Sequence, residues 1–405
     1  MADTKNDKNS NSPALRFPGF TEPWQKIRLG DCCGEMDYGM NAPAKEYDGQ
    51  NKYIRITDID ENSSEYCCEN IVSPDGVLSD KYLVNVNDIL FARTGSSTGK
   101  TYLYRPSDGH LYFAGFLIRA NVKDDYDSNF IYYQCKLKRY WNWVRIMSAR
   151  SGQPGINSQE YSTYTIYSTS KEEQSKISSL FKLLDERIAT QRRLIEDFLS
   201  LRRAILQDVI KRGLSKKSWK FTTLNDILTE RGEKNSNGYD VFSVSVSEGV
   251  VNQIEYLGRS FAAKETGHYN VARYGDIIYT KSPTGSFPYG IVKRDTQKEP
   301  AAISPLYGVF VPKEDRIGIL LGYYFESEVN TFNYLHPIIQ KGAKNTINIT
   351  NSGFLANSVP LPTDESEALT LAKCLDTISN KIVLEKSVLA HYTEQREYLL
   401  SKMFV

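Results

Sequence analysis

The feature that most constrains this 405-residue chain is an internal repeat, written in two long helical tracks. The first track runs Ile177, Phe181, Leu184, Ile188, Gln191, Ile195, Phe198, Arg202, Ile205, Val209. The second runs Leu371, Leu375, Ile378, Ile382, Glu385, Leu389, Tyr392, Arg396, Leu399, Met403, each position 194 residues beyond its counterpart. Steps that alternate between four and three lay one apolar stripe along a helix, as in any packed helix pair. The polar interruptions are more informative. Gln191 matches Glu385 and Arg202 matches Arg396 in the same register. A duplicated element explains that coincidence better than chance does.

The segments before each helix repeat more loosely. Trp24, Leu29 and Asp31 match Trp219, Leu224 and Asp226 at an offset of 195. NDILFARTG (87–95) matches GDIIYTKSP (275–283) at 188, and Tyr161 and Ile166 match Phe354 and Val359 at 193. Loops accept insertions and deletions, whereas a helix held in register does not. The constant offset therefore marks a structural element and the drifting one marks divergent lobes.

This repeat sets the domain reading. Residues 1–13 are polar and read as a disordered tail with no apolar core of a signal peptide. Residues 14–170 form a first lobe, with strands expected at 53–59, 89–92 and 111–120 and a helix at 129–148. Residues 171–213 form a first long helix of about 42 residues, roughly 60 Å at ~1.5 Å per residue, with Gly213 as its stop. Residues 214–363 form a second lobe, with strands expected at 239–246, 276–281 and 306–311. Residues 364–405 form the second long helix, and Asp364, Glu365 and Glu367 in its first turn suit the helix dipole. Such a helix is not expected to stand alone in water, so the two should pair, antiparallel if the repeat is a pseudo-two-fold one. The alternative is that each helix packs only on its own lobe. The expected class is α+β: two pseudo-two-fold-related α/β domains separated by two long antiparallel helices that form a coiled-coil-like spacer.

Composition excludes several classes. The formal net charge is +1, so global charge decides nothing about a nucleic-acid partner. Residues 171–220 are locally basic, with 13 Lys/Arg against 7 Asp/Glu. No apolar run reaches the ~18 residues of a membrane span. The adjacent pairs Cys32–Cys33 and Cys67–Cys68 lack the CxxC spacing of zinc sites, and all six cysteines read as reduced thiols in a cytoplasm. GSSTGKT (95–101) is one residue short of a P-loop between Gly and Gly-Lys. There is no FxGxG or [DN]PP[YF] adenine-methyltransferase motif, no PD-(D/E)xK nuclease pattern, and no HExxH. The four histidines are isolated. The chain reads as non-catalytic, with no cofactor of its own.

LRFPGFTEPWQKIRLGD (15–31), the DILFARTG segment, a helix opened by KEEQSKI (171–177) and the ending LLSKMF (399–404), in this order and with the two-lobe, two-helix repeat, resemble the specificity subunit of type I restriction–modification systems. The resemblance covers about Leu15 to Val405. It implies that each lobe reads one half of a split DNA sequence. It implies that the helices space the lobes and dock two methyltransferase subunits, with endonuclease–translocase subunits joining them. It also implies S-adenosylmethionine, ATP and Mg²⁺ in those partners. Each methyltransferase would flip an adenine for N6 methylation. The sequence departs from the family at both helix starts. IYSTSKEEQ (166–174) lacks the usual proline, and VPLPTDESE (359–367) keeps the prolines and loses the EEQ. Half-sites for such a protein lie about one helical turn (~34 Å) or a multiple apart. A helix-pair ruler between lobes would not tolerate changes in spacer length. The competing class is a coiled-coil adaptor whose lobes bind proteins.

Candidate DNA contacts are loops that combine small residues, one or two bases and amides. The first loop supplies Arg93, Thr94, Ser96, Ser97, Thr98 and Lys100, with Gly95 and Gly99 allowing close approach to phosphates. Arg93 could reach a guanine bidentately, reach only a phosphate, or close its own turn onto Asp88. Its counterpart offers Lys281, Ser282 and Thr284. SARSGQPGIN (148–157) supplies Arg150, Ser151, Gln153 and Asn157, and its counterpart supplies Lys341, Lys344, Asn345 and Asn348. Gln and Asn can read adenine bidentately, but the same residues favour plain turns. Arg55, Thr57 and Asp58, matched loosely by Ser243 and Ser245, are a weaker set. On the helices, Arg192, Arg193, Arg202 and Arg203 suit DNA, a partner or a solvated face.

Overall fold

The computed structural model describes residues 11–61, 63–149, 152–259, 265–341 and 347–405, without the side chains at 257, 340, 341, 347 and 348. The chain divides into two compact units. The first comprises the residues up to Thr190 together with Val388–Val405, and the second comprises Gln191–Ser387. Helix α1 (Lys171–Lys216) and helix α2 (Glu365–Met403) are each continuous and each contribute to both units.

In the first unit a four-stranded antiparallel sheet has the order Cys33–Tyr38, Leu117–Val122, Asp88–Ala92, Thr101–Leu103. Asp88–Ala92 is buried along its whole length. Ile89 and Phe91 enter one core and Leu90 and Ala92 another, so ILFA is a continuous apolar run and not an alternating one. The second unit repeats the order as Leu228–Glu230, Gly308–Pro312, Ile277–Tyr279, Val292–Arg294. Its central strand again splits, Ile277 and Tyr279 to one core and Ile278 to the other. A two-stranded ribbon leads to each helix: Gln25–Arg28 with Thr165–Ser168, and Trp219–Thr223 with Ser358–Pro362.

The helices close each core. In the first unit Ile177 and Phe181 of α1 meet Leu400, Met403 and Phe404, and Phe404 packs on Trp24, Phe130 and Phe181. In the second, Leu206 of α1 meets Ala368, Leu371, Ala372 and Leu375 of α2. Within each unit the start of one helix therefore packs with the end of the other, an antiparallel pairing. The alternative of each helix on its own lobe alone does not describe these cores.

Several local expectations change. The segment 53–59 is a short strand, Lys52–Ile54, followed by a 3₁₀ turn, because the Asp58 carboxylate folds back to the Arg55 amide at 2.9 Å. The segment 111–120 is two strands, Leu111–Phe113 and Leu117–Val122. The helix expected at 129–148 is two, Ser128–Gln134 and Lys138–Met147, with Leu137 extended between them. Helix α1 does not stop at Gly213. It runs to Lys216 and ends where Lys217 takes φ +60°, with Ser218 N bonding Gly213 O (3.0 Å) and Lys217 N bonding Leu214 O (3.2 Å), the six-to-one and five-to-two bonds of a Schellman ending. Residues 1–10 of the expected tail lie outside the described residues. Residues 11–13 join the first unit, since Asn11 O accepts from Trp24 N at 2.7 Å and Pro13 is buried.

Candidate nucleic-acid interface

In both units the strand that leads to the candidate loop starts from the same device. Asn87 and Gly275 occupy positive φ, 72° and 91°. The buried carboxylates after them accept from the amide three residues back, Asp88 from Asn85 and Asp276 from Arg273, each at 2.8 Å. Asp88 is therefore committed to its own turn and to Asn121 Nδ2 at 2.7 Å, and it does not hold Arg93. Burial raises the Asp88 carboxyl above the usual carboxylate range.

The two loops proposed for the first lobe meet. Ile156 N donates to Arg93 O (2.9 Å) and Gly95 N to Pro154 O (3.0 Å). Gly99, at φ +92°, lies so close to Val144 that a Cβ there would come within 2.6 Å of Cγ1. Within this joint surface the named side chains divide. Ser96 and Gln153 are exposed, and Thr94 and Arg93 half-buried. Ser97 and Thr98 are buried, and Thr98 Oγ1 donates to Gly95 O at 2.7 Å. Asn157 caps Ser158–Ser162, its side chain accepting from Glu160 N while its amide donates to the Glu160 carboxylate. Lys100 is paired with Glu61 at 2.8 Å. Thr98 and Asn157 are thus spent on the fold, because a tight loop must satisfy its own backbone first. Arg150 and Ser151 lie outside the described residues.

Beside these loops lies a cleft of about 710 Å³ that brings Arg93 together with Arg55 and Thr57. The Arg93 Nε donates to Gly115 O at 3.1 Å, and its guanidinium sits 4.9 Å from the Tyr38 ring centre and 6.0 Å from that of Phe116. Tyr38 is tethered in turn, its hydroxyl accepting from Ser158 N at 3.1 Å. Arg55 is held side-on by Asp58, with Nε and Nη2 each 2.8 Å from a carboxylate oxygen. Hydrogen bonding to Asp58 raises the Arg55 pKa, so it stays charged. The exposed aromatics Tyr38 and Phe116 were not legible as site residues. One ends a strand, the other sits in a turn, and nothing in their spacing links them to Arg93.

In the second unit Lys281 is half-buried at φ +56°, and burial lowers its pKa against a smaller opposing effect of Glu230. Ser282 is exposed, and Thr284 closes a tight turn through Phe287 and through Ser282 O at 3.1 Å. Lys341 and Asn348 lie in a two-residue ladder, Gln340–Lys341 with Ile347–Asn348, without described side chains. Lys344 and Asn345 lie outside the described residues. A second cleft, of about 460 Å³, is lined by Tyr239, Asp240, Asn252, Glu255 and their neighbours. It is acidic and contains none of the expected residues. On α1, Arg202 is not a free cation: it pairs with Glu326 at 2.5 Å and lies 4.8 Å from the Tyr323 ring centre.

Residues 21–197 match the family profile of the type I restriction modification DNA specificity domain. Among solved structures, the type I restriction–modification S subunit from M. genitalium is similar over 97% of this chain and 99% of its own, at 15% identity and a TM-score of 0.63. A chain from a structural study of complex assembly and conformational transition in the type I system is similar over 97% and 99%, at 16% identity and a TM-score of 0.50. At these identities the likeness is one of fold, and it spans both units. No curated protein matches the sequence.

Proposed function

We infer that this chain is a DNA specificity subunit of the type I restriction–modification family, and that its two units each read one half of a split target. The observation that carries this is the match of residues 21–197 to the specificity domain, joined to the repetition of that unit's sheet order and ribbon in the second unit. A domain that reads DNA, present twice, calls for two half-sites. Nothing observed favours a protein-binding adaptor.

In this reading the chain is non-catalytic and acts in the cytoplasm within a larger assembly. Two methyltransferase subunits carry S-adenosylmethionine, and endonuclease–translocase subunits carry ATP and Mg²⁺. The DNA contacts come from the accessible members of the candidate loops: Arg93, Thr94, Ser96 and Gln153 in the first unit, Lys281 and Ser282 in the second. No helix among the described residues is long and apolar enough to cross a membrane.

The test is methylome sequencing of cells that express this chain with its methyltransferase partner, together with a salt titration of duplex binding by the same complex. A bipartite motif with N6-methylated adenines is expected, with affinity that falls steeply with salt as phosphate contacts require. A contiguous motif, or no duplex binding by the complex, would overturn the reading.

A further inference from the structure

We propose that Arg93 reads a guanine in the half-site of the first unit, with Tyr38 and Phe116 as the positioning residues that hold its guanidinium for that contact. The proposal rests on the DNA-specificity reading and names the base class that one cleft takes.

An arginine has five N–H donors in a rigid planar fork. At Arg93 the Nε is already spent on Gly115 O, which fixes the plane of the group. Tyr38 lies 4.9 Å from the guanidinium and Phe116 6.0 Å, so the cation is bounded by rings as well as by a hydrogen bond. Among the described residues neither Nη1 nor Nη2 meets an acceptor, and no carboxylate lies within ion-pair distance. The open end of the fork is two parallel N–H groups. That is the pattern that matches O6 and N7 of guanine on the major-groove edge.

The other cations near the cleft lack this combination. Arg55 is neutralised by the Asp58 carboxylate, and Lys100 by Glu61. Arg119 is bound to Asp37 at 2.8 Å and to Leu83 O at 3.1 Å. A cation meant only for phosphate gains little from a fixed plane, because a phosphate accepts from many directions. A base edge accepts from one, so pre-orientation has value there. Lys281 occupies the matching loop of the second unit as a point charge with no planar fork.

The experiment selects duplexes from a pool randomised across both half-sites, using the complex with its methyltransferase partner, and compares wild type with Arg93→Lys. The lysine keeps the charge and loses the fork. The expected result is relaxation at a single G·C position of the first half-site by about 10- to 100-fold, the second half-site unchanged, and little loss of affinity for random duplex. Phe116→Ala is expected to relax the same position by a smaller factor, which separates positioning from any folding defect of the first variant. Unchanged base preferences in Arg93→Lys, or an even weakening across all positions, would assign Arg93 to phosphate and overturn the proposal. If wild type itself selects no split sequence, the specificity reading fails and not merely this contact.

Discussion

At the scale of single residues, the repeat reuses positions and exchanges the chemistry placed on them. Trp24 and Trp219 are both buried, yet Trp219 Nε1 donates to Glu367 at 2.8 Å while Trp24 Nε1 has no partner among the described residues. The matching acid of the first unit, Glu173, is taken by Arg16 in a bidentate pair at 2.6 and 2.8 Å. The aromatic pair Phe91–Tyr161 becomes Tyr279–Phe354, with centroids 4.9 and 4.8 Å apart, so ring and hydroxyl trade places across the core. Gly213 shows how one residue type supports two readings. A glycine near a helix end suggests a stop, but here a Cβ would lie 2.0 Å from Trp219 Cδ1, so the glycine serves close packing. Gly213→Ala should therefore destabilise the second unit, although alanine is the better helix former by about 1 kcal/mol. Overpacking a tryptophan held by Glu367 costs about 1–3 kcal/mol. The expected net loss is up to about 2 kcal/mol in urea unfolding followed by tryptophan fluorescence. A gain in stability would contradict the packing role.

At the scale of elements, the long helices were the most legible part of the chain, because their apolar stripe has one period and their polar interruptions recur. The structure explains those interruptions. Gln191 Nε2 bonds Glu385, its own repeat counterpart, at the carboxylate and at the carbonyl oxygen (3.1 Å), and both residues are only 9% exposed. Arg202 bonds Ser379 in the second unit and Arg396 bonds Asp185 in the first, and 185 and 379 are themselves repeat partners. Each polar step thus meets a partner set by the same offset of 194. Such pairs fix register more than they add stability. Gln191→Leu alone removes a donor from a buried carboxylate that keeps Lys381, and should cost about 1–3 kcal/mol. Gln191→Leu with Glu385→Leu should recover that cost or exceed wild type. A double-mutant cycle in urea checks this, and a coupling energy near zero would remove Gln191–Glu385 as a register pair. The short strands were less legible. Side-chain returns such as Asp58 onto the Arg55 amide break an apparent strand in a way that no periodicity records.

At the scale of the whole molecule, what could be read from the sequence follows how far apart the cooperating residues lie. The heptads, and short segments such as that around Asp88, keep their spacing inside one element, so the repeat shows there as a constant offset, 194 along the helices and 188 for NDILFARTG. The cleft around Arg93 draws Tyr38, Arg55 and Phe116 from three separate segments, and only the fold brings them together. Ser97, Thr98 and Asn157 carried suitable chemistry, but Ser97 is buried and the loops use Thr98 and Asn157 to satisfy their own backbones. The two units have separate cores, each with its own sheet and its own candidate loop. Changes confined to one loop should therefore act on one half-site. Arg93→Ala should weaken selection at the first half-site only, and Lys281→Ala at the second only. Because the two residues belong to different units and share no partner among the described residues, the double variant should lose the sum of the two binding free energies, to within about 0.5 kcal/mol. Competition binding of the methyltransferase complex to duplexes altered in one half-site at a time measures all three variants. Equal loss at both half-sites from either single change, or a double variant far from the sum, would mean that the units do not read independently.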